Sequence, residues 1–107
     1  MLLSVAGLVP LIATGQQATA NVNGVVKDPS GAAVANAQIE ITNVNTGVVR
    51  KTATNAEGIY SLPSIVPGVY SMEASASGFA AVSQPPVTLQ VGQTATFDFQ
   101  LTVGAAT

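Results

Sequence analysis

Side chains able to do acid–base or nucleophilic chemistry are few in this 107-residue sequence. There is no histidine and no cysteine, and the five carboxylates are Asp28, Glu40, Glu57, Glu73 and Asp98. Zinc sites of the usual type and Ser–His or Cys–His nucleophile pairs are therefore excluded. A glycosidase would need two carboxylates across a cleft, whereas these five fall in separate predicted turns and strands. The sequence predicts no catalytic residue and no cofactor, and hence a protein that is not an enzyme.

The turn Asn55–Gly58 is the segment to consider as a cation-binding site. Calcium needs several oxygen ligands close together, usually from more than one carboxylate. This turn offers one carboxylate, from Glu57, and one amide, from Asn55. We interpret it as a plain turn and predict no metal site.

Charge is scarce along the whole chain. Charged residues make up 7% of the sequence and hydrophobic residues 48%, with a formal net charge of −2. The three cations, Lys27, Arg50 and Lys51, cannot form the basic face that nucleic acid needs, nor a polybasic membrane patch. Surface helices normally carry many Glu, Lys and Arg residues, so this composition favours strands and turns.

The first twenty residues have the pattern of an export signal. Leu2 to Ala13 is an apolar run of about a dozen residues, shorter than the roughly twenty that span a bilayer as a helix. Ala18-Thr19-Ala20 places small residues around one spacer, so we predict cleavage after Ala20. No Lys or Arg precedes the apolar run, which is a departure from the usual signal. The alternative, a first strand or buried helix, is disfavoured by Pro10 and Gly15.

Export would give a mature chain that starts at Asn21 and has no transmembrane helix. Such a chain is expected to be secreted from the cytoplasm. The domain organisation predicted from the sequence is a signal peptide over residues 1–20, a folded domain over 21–103, and a tail or the start of a downstream region over 104–107.

Beyond residue 20, short runs with alternating apolar and polar residues recur about every ten residues. This spacing is typical of an all-β sandwich. The predicted strands cover residues 21–27, 37–43, 48–54, 59–62, 69–76, a segment within 80–91 that is clearest over 87–91, and 95–103.

The last run has the most regular alternation. Ala95, Phe97, Phe99, Leu101 and Val103 alternate with polar residues, which predicts one unbroken strand with these five side chains buried. Asp98 is then expected to face solvent.

Charges and prolines predict three further details. Arg50 and Lys51 are neighbours in one strand, so one of them faces the core side, which is tolerated at a sheet edge. Residues 63–68 are predicted to be a connector, because proline cannot donate to a ladder. For the same reason Pro85 and Pro86 are expected to keep the first half of their run out of regular pairing.

An ordered series of glycine, tyrosine and proline residues follows these strands. It runs Gly24-x-Val26-x-Asp28-x-x-Gly31, Ala37-x-Ile39-x-Ile41-x-Asn43, Thr46-Gly47, Gly58-x-Tyr60-x-Leu62, Ile65-x-Pro67-Gly68-x-Tyr70-x-Met72 and Gly78-Phe79. The series resembles the carboxypeptidase regulatory-like domain over residues 21–103. The resemblance implies a seven-stranded antiparallel Greek-key β-sandwich of the prealbumin-like (transthyretin-like) type. It departs at Ala35, where family members often carry proline.

The resemblance also implies a role. Many such domains in bacteria follow a signal peptide at the N-terminus of TonB-dependent receptor-like outer-membrane proteins, and this chain is similar to that arrangement. It would then be a non-catalytic accessory or structural module whose partner is another protein or a downstream receptor barrel. The resemblance also implies secretion across the inner membrane and a place in the periplasm or at the outer membrane. The resemblance carries over no catalytic residue.

Two other functions stay open. One is a carbohydrate-binding module of the starch-binding-like type. It would need exposed aromatics; there is no Trp, and Phe79 is the aromatic expected near the surface, where it could contact a glycan or a partner protein. The other is an adhesin-type B repeat with a Lys–Asn isopeptide bond, for which Lys27 and Lys51 are candidates although the last strand contains no Asn.

Several residues of the series have an expected structural role. Gly58 and Gly68 are expected where positive φ or a close backbone approach excludes a side chain. Tyr60 and Tyr70 are expected in the core, each with its hydroxyl at the rim. Pro67, Phe97 and Phe99 are also expected to be structural turn or core residues.

Overall fold

The computed structural model describes residues 18–104, which form eight β-strands and no α-helix. The apolar run Leu2–Ala13 lies outside the described residues. Within the described residues, no helix is long and apolar enough to cross a membrane. The strands are β1 (Ala20–Lys27), β2 (Gln38–Asn43), β3 (Val49–Ala53), β4 (Ile59–Ile65), β5 (Gly68–Ser75), β6 (Val82–Leu89), β7 (Thr94–Thr96) and β8 (Phe99–Gln100).

The strands pair into two sheets. One sheet has the order β3-β2-β5-β6 and is antiparallel throughout. The other has the order β4-β1-β7, with β8 following β7 along the same side of β1. In this second sheet β4 is antiparallel to β1, whereas β7 and β8 are parallel to it. The predicted all-β sandwich is confirmed. The parallel pairing of the last predicted strand with β1 was not part of the prediction.

The core lies between the sheets and follows the predicted alternation. Every second residue of β1, β2 and β5 is buried, because successive strand side chains point to opposite faces. A single cluster results, contributed by both sheets. Its largest fully buried side chains are Tyr60, Ile39, Ile41, Ile65, Leu89, Leu101, Val22 and Val26.

Strand β3 is an edge strand, as predicted from its adjacent charges. Arg50 is the charge that turns toward the other sheet. Its guanidinium donates to the carbonyl oxygens of Pro63 at 3.0 Å and Ser64 at 3.2 Å, both in β4. Lys51 is exposed. Arg50 therefore ties the two sheets together along one side of the sandwich.

Residues 63–68 were predicted to be a connector, and this prediction is wrong for residues 63–65, which belong to β4. Strand β4 continues through Pro63 to Ile65 by means of a bulge, since Val22 pairs with Leu62 and Ala20 with Ile65. The extra residue leaves the ladder locally, so the missing proline N–H costs no pairing. Ser64, in this bulge, has φ of 59°.

The prediction for Pro85 and Pro86 is also wrong. Strand β6 pairs with β5 on both sides of these prolines, with Met72 opposite Gln84 and Tyr70 opposite Val87. A second bulge accommodates the prolines, and β6 is an edge strand whose outer side has no ladder to donate to. Residues 90 and 91 fall outside the strand.

The last predicted strand is interrupted. Strands β7 and β8 are its two halves, separated by Phe97 and Asp98. Phe97 is half-buried, and Val103 is 76% exposed because it has left the sandwich core. Ala95, Phe99 and Leu101 are buried as expected.

The two phenylalanines on either side of Asp98 should differ in stability effect. Phe99 is 5% exposed, so Phe99→Ala should lower the free energy of unfolding by about 3–5 kcal/mol. Phe97→Ala should cost about 1–2 kcal/mol, because that side chain is only half-buried. Urea denaturation with an unchanged slope would measure both, and equal losses would contradict the split strand.

Candidate functional site

The break between β7 and β8 is built over Gly24, in the middle of β1. A Cβ on Gly24 would lie 1.9 Å from the carbonyl oxygen of Phe97 and 2.7 Å from its carbonyl carbon. No real Cβ atom tolerates such distances from backbone. The last strand therefore rests directly on the backbone of β1, which glycine permits because it has no side chain.

Tyr60 holds the other side of this contact. Its hydroxyl donates to the Phe97 carbonyl oxygen at 2.6 Å, and its ring lies 6.4 Å from that of Phe99. Burial, and then the negative charge of Asp98, raise the pKa of Tyr60 above its ordinary value. The hydroxyl therefore keeps its proton and serves as a donor. Tyr60 is a structural donor here, since its proton is engaged with the backbone.

Asp98 bridges the gap that the break leaves in the ladder. Its carboxylate accepts from the backbone N–H of Val25 at 2.9 Å. Backbone pairing with β1 is intact on either side, where Phe97 N–H donates to Asn23 and Leu101 N–H donates to Lys27. The residue is exposed, as expected, but its carboxylate takes the place of a strand neighbour. Sequence reasoning missed this role.

A surface depression of about 540 Å³ adjoins Asp98 and the turn that follows β1. Asp28 is the second carboxylate on its wall. One Asp28 oxygen accepts from the Ser30 hydroxyl and from the backbone N–H groups of Ser30 and Ala32. The Ser30 hydroxyl and then the Ala32 N–H lower the pKa of Asp28. Asp28 is therefore an ionised turn residue and a poor general base.

A side chain meets backbone at the predicted turn glycine Gly58, and meets the end of another side chain at Gly68. Gly58 has φ of 76°, and a Cβ there would lie 2.6 Å from the carbonyl oxygen of Val26. A Cβ on Gly68 would lie 2.9 Å from the Asn43 amide nitrogen. The buried Asn43 side chain accepts in turn from the N–H groups of Asn45 and Thr46, so it shapes the β2–β3 turn.

Tyr70 and Pro67 lie at the same end of the sandwich. Tyr70 is buried, and its hydroxyl donates to the carbonyl oxygen of Val66. Pro67 is half-buried in the bend between β4 and β5. Both residues shape this bend, and neither side chain offers a free polar group.

Phe79 lies near the surface in the connection between β5 and β6, but its ring is not fully exposed. Its side chain is half-buried against the core, and its backbone forms a bridge with Val103. On either side of Phe79, Ala80 N–H donates to Thr102 and Gly104 N–H donates to Gly78. Residues 102–104 therefore pair with the connection between β5 and β6 that carries Phe79.

The structure places no exposed aromatic on the domain. The chain has three Phe and two Tyr and no Trp, and all five aromatics lie within residues 18–104. Tyr60, Tyr70 and Phe99 are buried, while Phe79 and Phe97 are half-buried. Sugar-stacking platforms use well-exposed aromatic rings, and the five aromatics within residues 18–104 are all buried or half-buried.

The other candidate chemistries also find no support in the geometry. Lys27 and Lys51 are both exposed, whereas an isopeptide bond forms beside a buried acid. The Asn55 amide oxygen accepts from Glu57 and Ile59 N–H groups, so it belongs to its own turn. Among residues 18–104, no group of three or more Asp or Glu side chains is close enough to hold a metal ion.

Residues 21–102 match the family model of the carboxypeptidase regulatory-like domain, and the chain belongs to this family. In this chain the family domain is the β-sandwich described above, with its turn glycines and buried tyrosines. No curated protein sequence matches the chain significantly.

Solved structures with the same fold come from proteins of different kinds. A minor pilin of Streptococcus agalactiae, GBS52, has a TM-score of 0.67 at 14% identity, over 84% of this chain and 47% of that one. A candidate carbohydrate-binding protein from Bacteroides uniformis has a TM-score of 0.64 at 14% identity, over 79% and 42%. Catechol 1,2-dioxygenase from Pseudomonas arvilla C-1 has a TM-score of 0.67 at 15% identity, over 88% and 55%.

These matches establish the fold alone, because all three identities are 15% or lower. The chain spans about half the length of each of these proteins. An enzyme, a pilin and a carbohydrate-binding candidate share the sandwich, so the fold does not select among their functions.

Gly24→Ala should open the contact between β1 and the last strand. The added Cβ cannot coexist with the Phe97 carbonyl, so we expect a loss of about 1–3 kcal/mol or more in the free energy of unfolding. Native-state hydrogen exchange should show faster exchange at the Phe97 and Val25 amides. Gly31→Ala serves as a control for backbone strain alone, because a Cβ there meets no atom within 4 Å and its cost comes from φ of 89°. Its effect on hydrogen exchange should stay within the β1–β2 turn and leave the Phe97 and Val25 amides protected. Unchanged protection in Gly24→Ala would contradict the contact.

Tyr60→Phe should leave the Phe97 carbonyl without its donor and cost about 1–3 kcal/mol at neutral pH. The raised pKa of Tyr60 adds a pH dependence. Above the ordinary value of 10.0, the unfolded chain releases the phenolic proton while the folded chain keeps it, so stability falls as pH rises. Between pH 10 and 12 the fall should be smaller in Tyr60→Phe. Chemical denaturation along this pH series measures it, and parallel curves would contradict the assignment.

Proposed function

We propose that this chain is a non-catalytic, exported β-sandwich module that acts as a spacer or accessory domain. Its parent would be an outer-membrane protein of the TonB-dependent receptor-like kind, and its partner another protein or the downstream barrel. The family membership and the leader-like N-terminal sequence motivate the proposal. The path of the chain through the sandwich is the observation that carries it.

The described chain enters and leaves the sandwich at opposite ends. The carbonyl oxygen of Thr19 accepts from Gly92 N–H, just beyond the end of β6, whereas Gly104 N–H donates to Gly78, before the start of β6. Strand β6 has eight residues, so the two ends are separated by roughly 25 Å. A module with this path holds its flanking segments a fixed distance apart, which is the work of a spacer.

The chemistry of the surface supports the same role. The carboxylates Asp28 and Asp98 are engaged with backbone N–H groups, and the buried hydroxyls of Tyr60 and Tyr70 with backbone carbonyls. These side chains are hydrogen-bonded to the domain's own backbone, so they stabilise the fold and are not free to act on a substrate. The absence of an exposed aromatic in residues 18–104 favours the spacer over the carbohydrate-binding alternative.

The receptor part of the proposal predicts the size and location of the native protein. An antibody raised against residues 18–104 should detect a polypeptide much longer than 107 residues in the outer-membrane fraction of the source cells. A band of about 107 residues, or one recovered from the cytoplasm, would contradict it. The same blot after surface proteolysis of intact cells distinguishes a periplasm-facing domain from an exposed one.

Carbohydrate binding is tested separately. Titration of the ¹⁵N-labelled domain with maltoheptaose, cellohexaose and chitohexaose should leave amide shifts near Phe79 and Val103 unchanged. Saturable shifts there would contradict the spacer role and support the sugar-binding alternative. Phe79→Leu keeps an apolar side chain against the core and is the control that separates ring stacking from packing.

A further inference from the structure

Two residues that precede the predicted cleavage site belong to the folded domain. Ala20 is the first residue of β1, pairs with Ile65 and has 0% of its surface exposed. The carbonyl oxygen of Thr19 accepts from Gly92 N–H at 2.9 Å, which fastens the β6–β7 turn to the start of β1. A mature chain that began at Asn21 would lack both of these contributions.

The peptide bond between Ala20 and Asn21 lies inside the β-ladder. Asn21 N–H donates to the Gln93 carbonyl oxygen at 2.9 Å, and Asn21 pairs in register with Thr94. The Asn21 side chain also accepts from Ser64 N–H in β4. Strands thus flank this bond on both sides, so a chain cut here would begin inside the β-ladder. Cleavage there would also place a charged ammonium group within the ladder.

A second triplet with small residues around one spacer lies upstream. It is Ala13-Thr14-Gly15, which starts at the last residue of the apolar run, outside the described residues. Signal peptidases accept small residues at the first and third positions of such a triplet. Ala13-Thr14-Gly15 therefore satisfies the same chemical requirement as Ala18-Thr19-Ala20. A cut after Gly15 keeps Thr19 and Ala20 in the mature chain.

We propose that the leader is removed by hydrolysis of the Gly15–Gln16 peptide bond, with water supplying the hydroxyl to Gly15 and the proton to Gln16. The mature protein then starts at Gln16 and contains the whole of β1. This inference rests on the proposed export of the chain, because a protein that stays in the cytoplasm meets no signal peptidase.

The test is the N-terminus of the exported protein. The full chain with a C-terminal affinity tag is expressed in a Gram-negative host, and the processed form is identified by intact mass and N-terminal peptide sequencing. A start at Gln16, or at its pyroglutamyl form lacking one ammonia, supports the proposal. A start at Asn21 overturns it and leaves export standing. An intact Met1 in the cytoplasm overturns the proposed export itself.

Two matched substitutions separate the candidate sites. Gly15→Gln places a large residue next to the proposed scissile bond, so the Gln16 form should fall at least tenfold. Ala18→Gln blocks the downstream triplet at an exposed position without touching the core, and processing should continue at the unaltered rate. The opposite result, with Ala18→Gln accumulating precursor and Gly15→Gln processed normally, would overturn the proposal.

A thermal comparison tests the structural reason independently. Chains that start at Gln16 and at Asn21 are compared by circular dichroism at the same concentration. The shorter chain loses a buried residue and one backbone hydrogen bond, so its Tm should be lower by roughly 5–10 °C. Equal Tm values would mean that Thr19 and Ala20 contribute nothing to the fold and would remove the basis of the inference.

Discussion

The contact between the Gly24 backbone and the Phe97 carbonyl is the constraint on which the rest of the second sheet depends. The last strand approaches β1 too closely for any Cβ at position 24, and its ladder is interrupted at the same point. Two side chains then repair the interruption, with Tyr60 satisfying the displaced carbonyl and Asp98 satisfying the freed Val25 N–H. Each buried polar group in this region has a partner, which a stable interior requires. The family motif residues Gly24 and Tyr60 are explained by this single arrangement.

Alternation of apolar and polar residues was enough to predict the sandwich and its inner faces. It works for β1, β2 and β5 because side-chain direction in a strand depends only on sequence parity. It misjudged the prolines, because a bulge removes the demand for an N–H donor at Pro63 and at Pro85-Pro86, and nothing local in the sequence signals a bulge. It also missed the break at Phe97–Asp98, because the sequence keeps alternating apolar and polar residues where the backbone pairing is interrupted.

The chemistry of the candidate site was predictable to a different degree. Missing histidine and cysteine exclude whole reaction classes whatever the fold. The structure adds that Asp28 and Asp98, beside the depression next to the turn after β1, accept hydrogen bonds from backbone donors. The backbone partners of Phe79 were beyond local reasoning, because residues 102–104 pair with residues 78–80 from far along the chain. The role of Asp98 was likewise hidden, as it depends on a partner 73 residues away.

The parallel arrangement of β1 with β7 and β8 has a mechanical consequence. The described chain begins in β1 and ends after β8, so tension between its two ends pulls these neighbouring strands in opposite directions along their length. The hydrogen bonds between them, including the one from Val25 to Asp98, lie across the direction of pull and carry the load together. Antiparallel hairpins pulled from their open ends unzip one bond at a time. The domain should therefore resist stretching between residues 18 and 104 more strongly than it would if these strands could unzip.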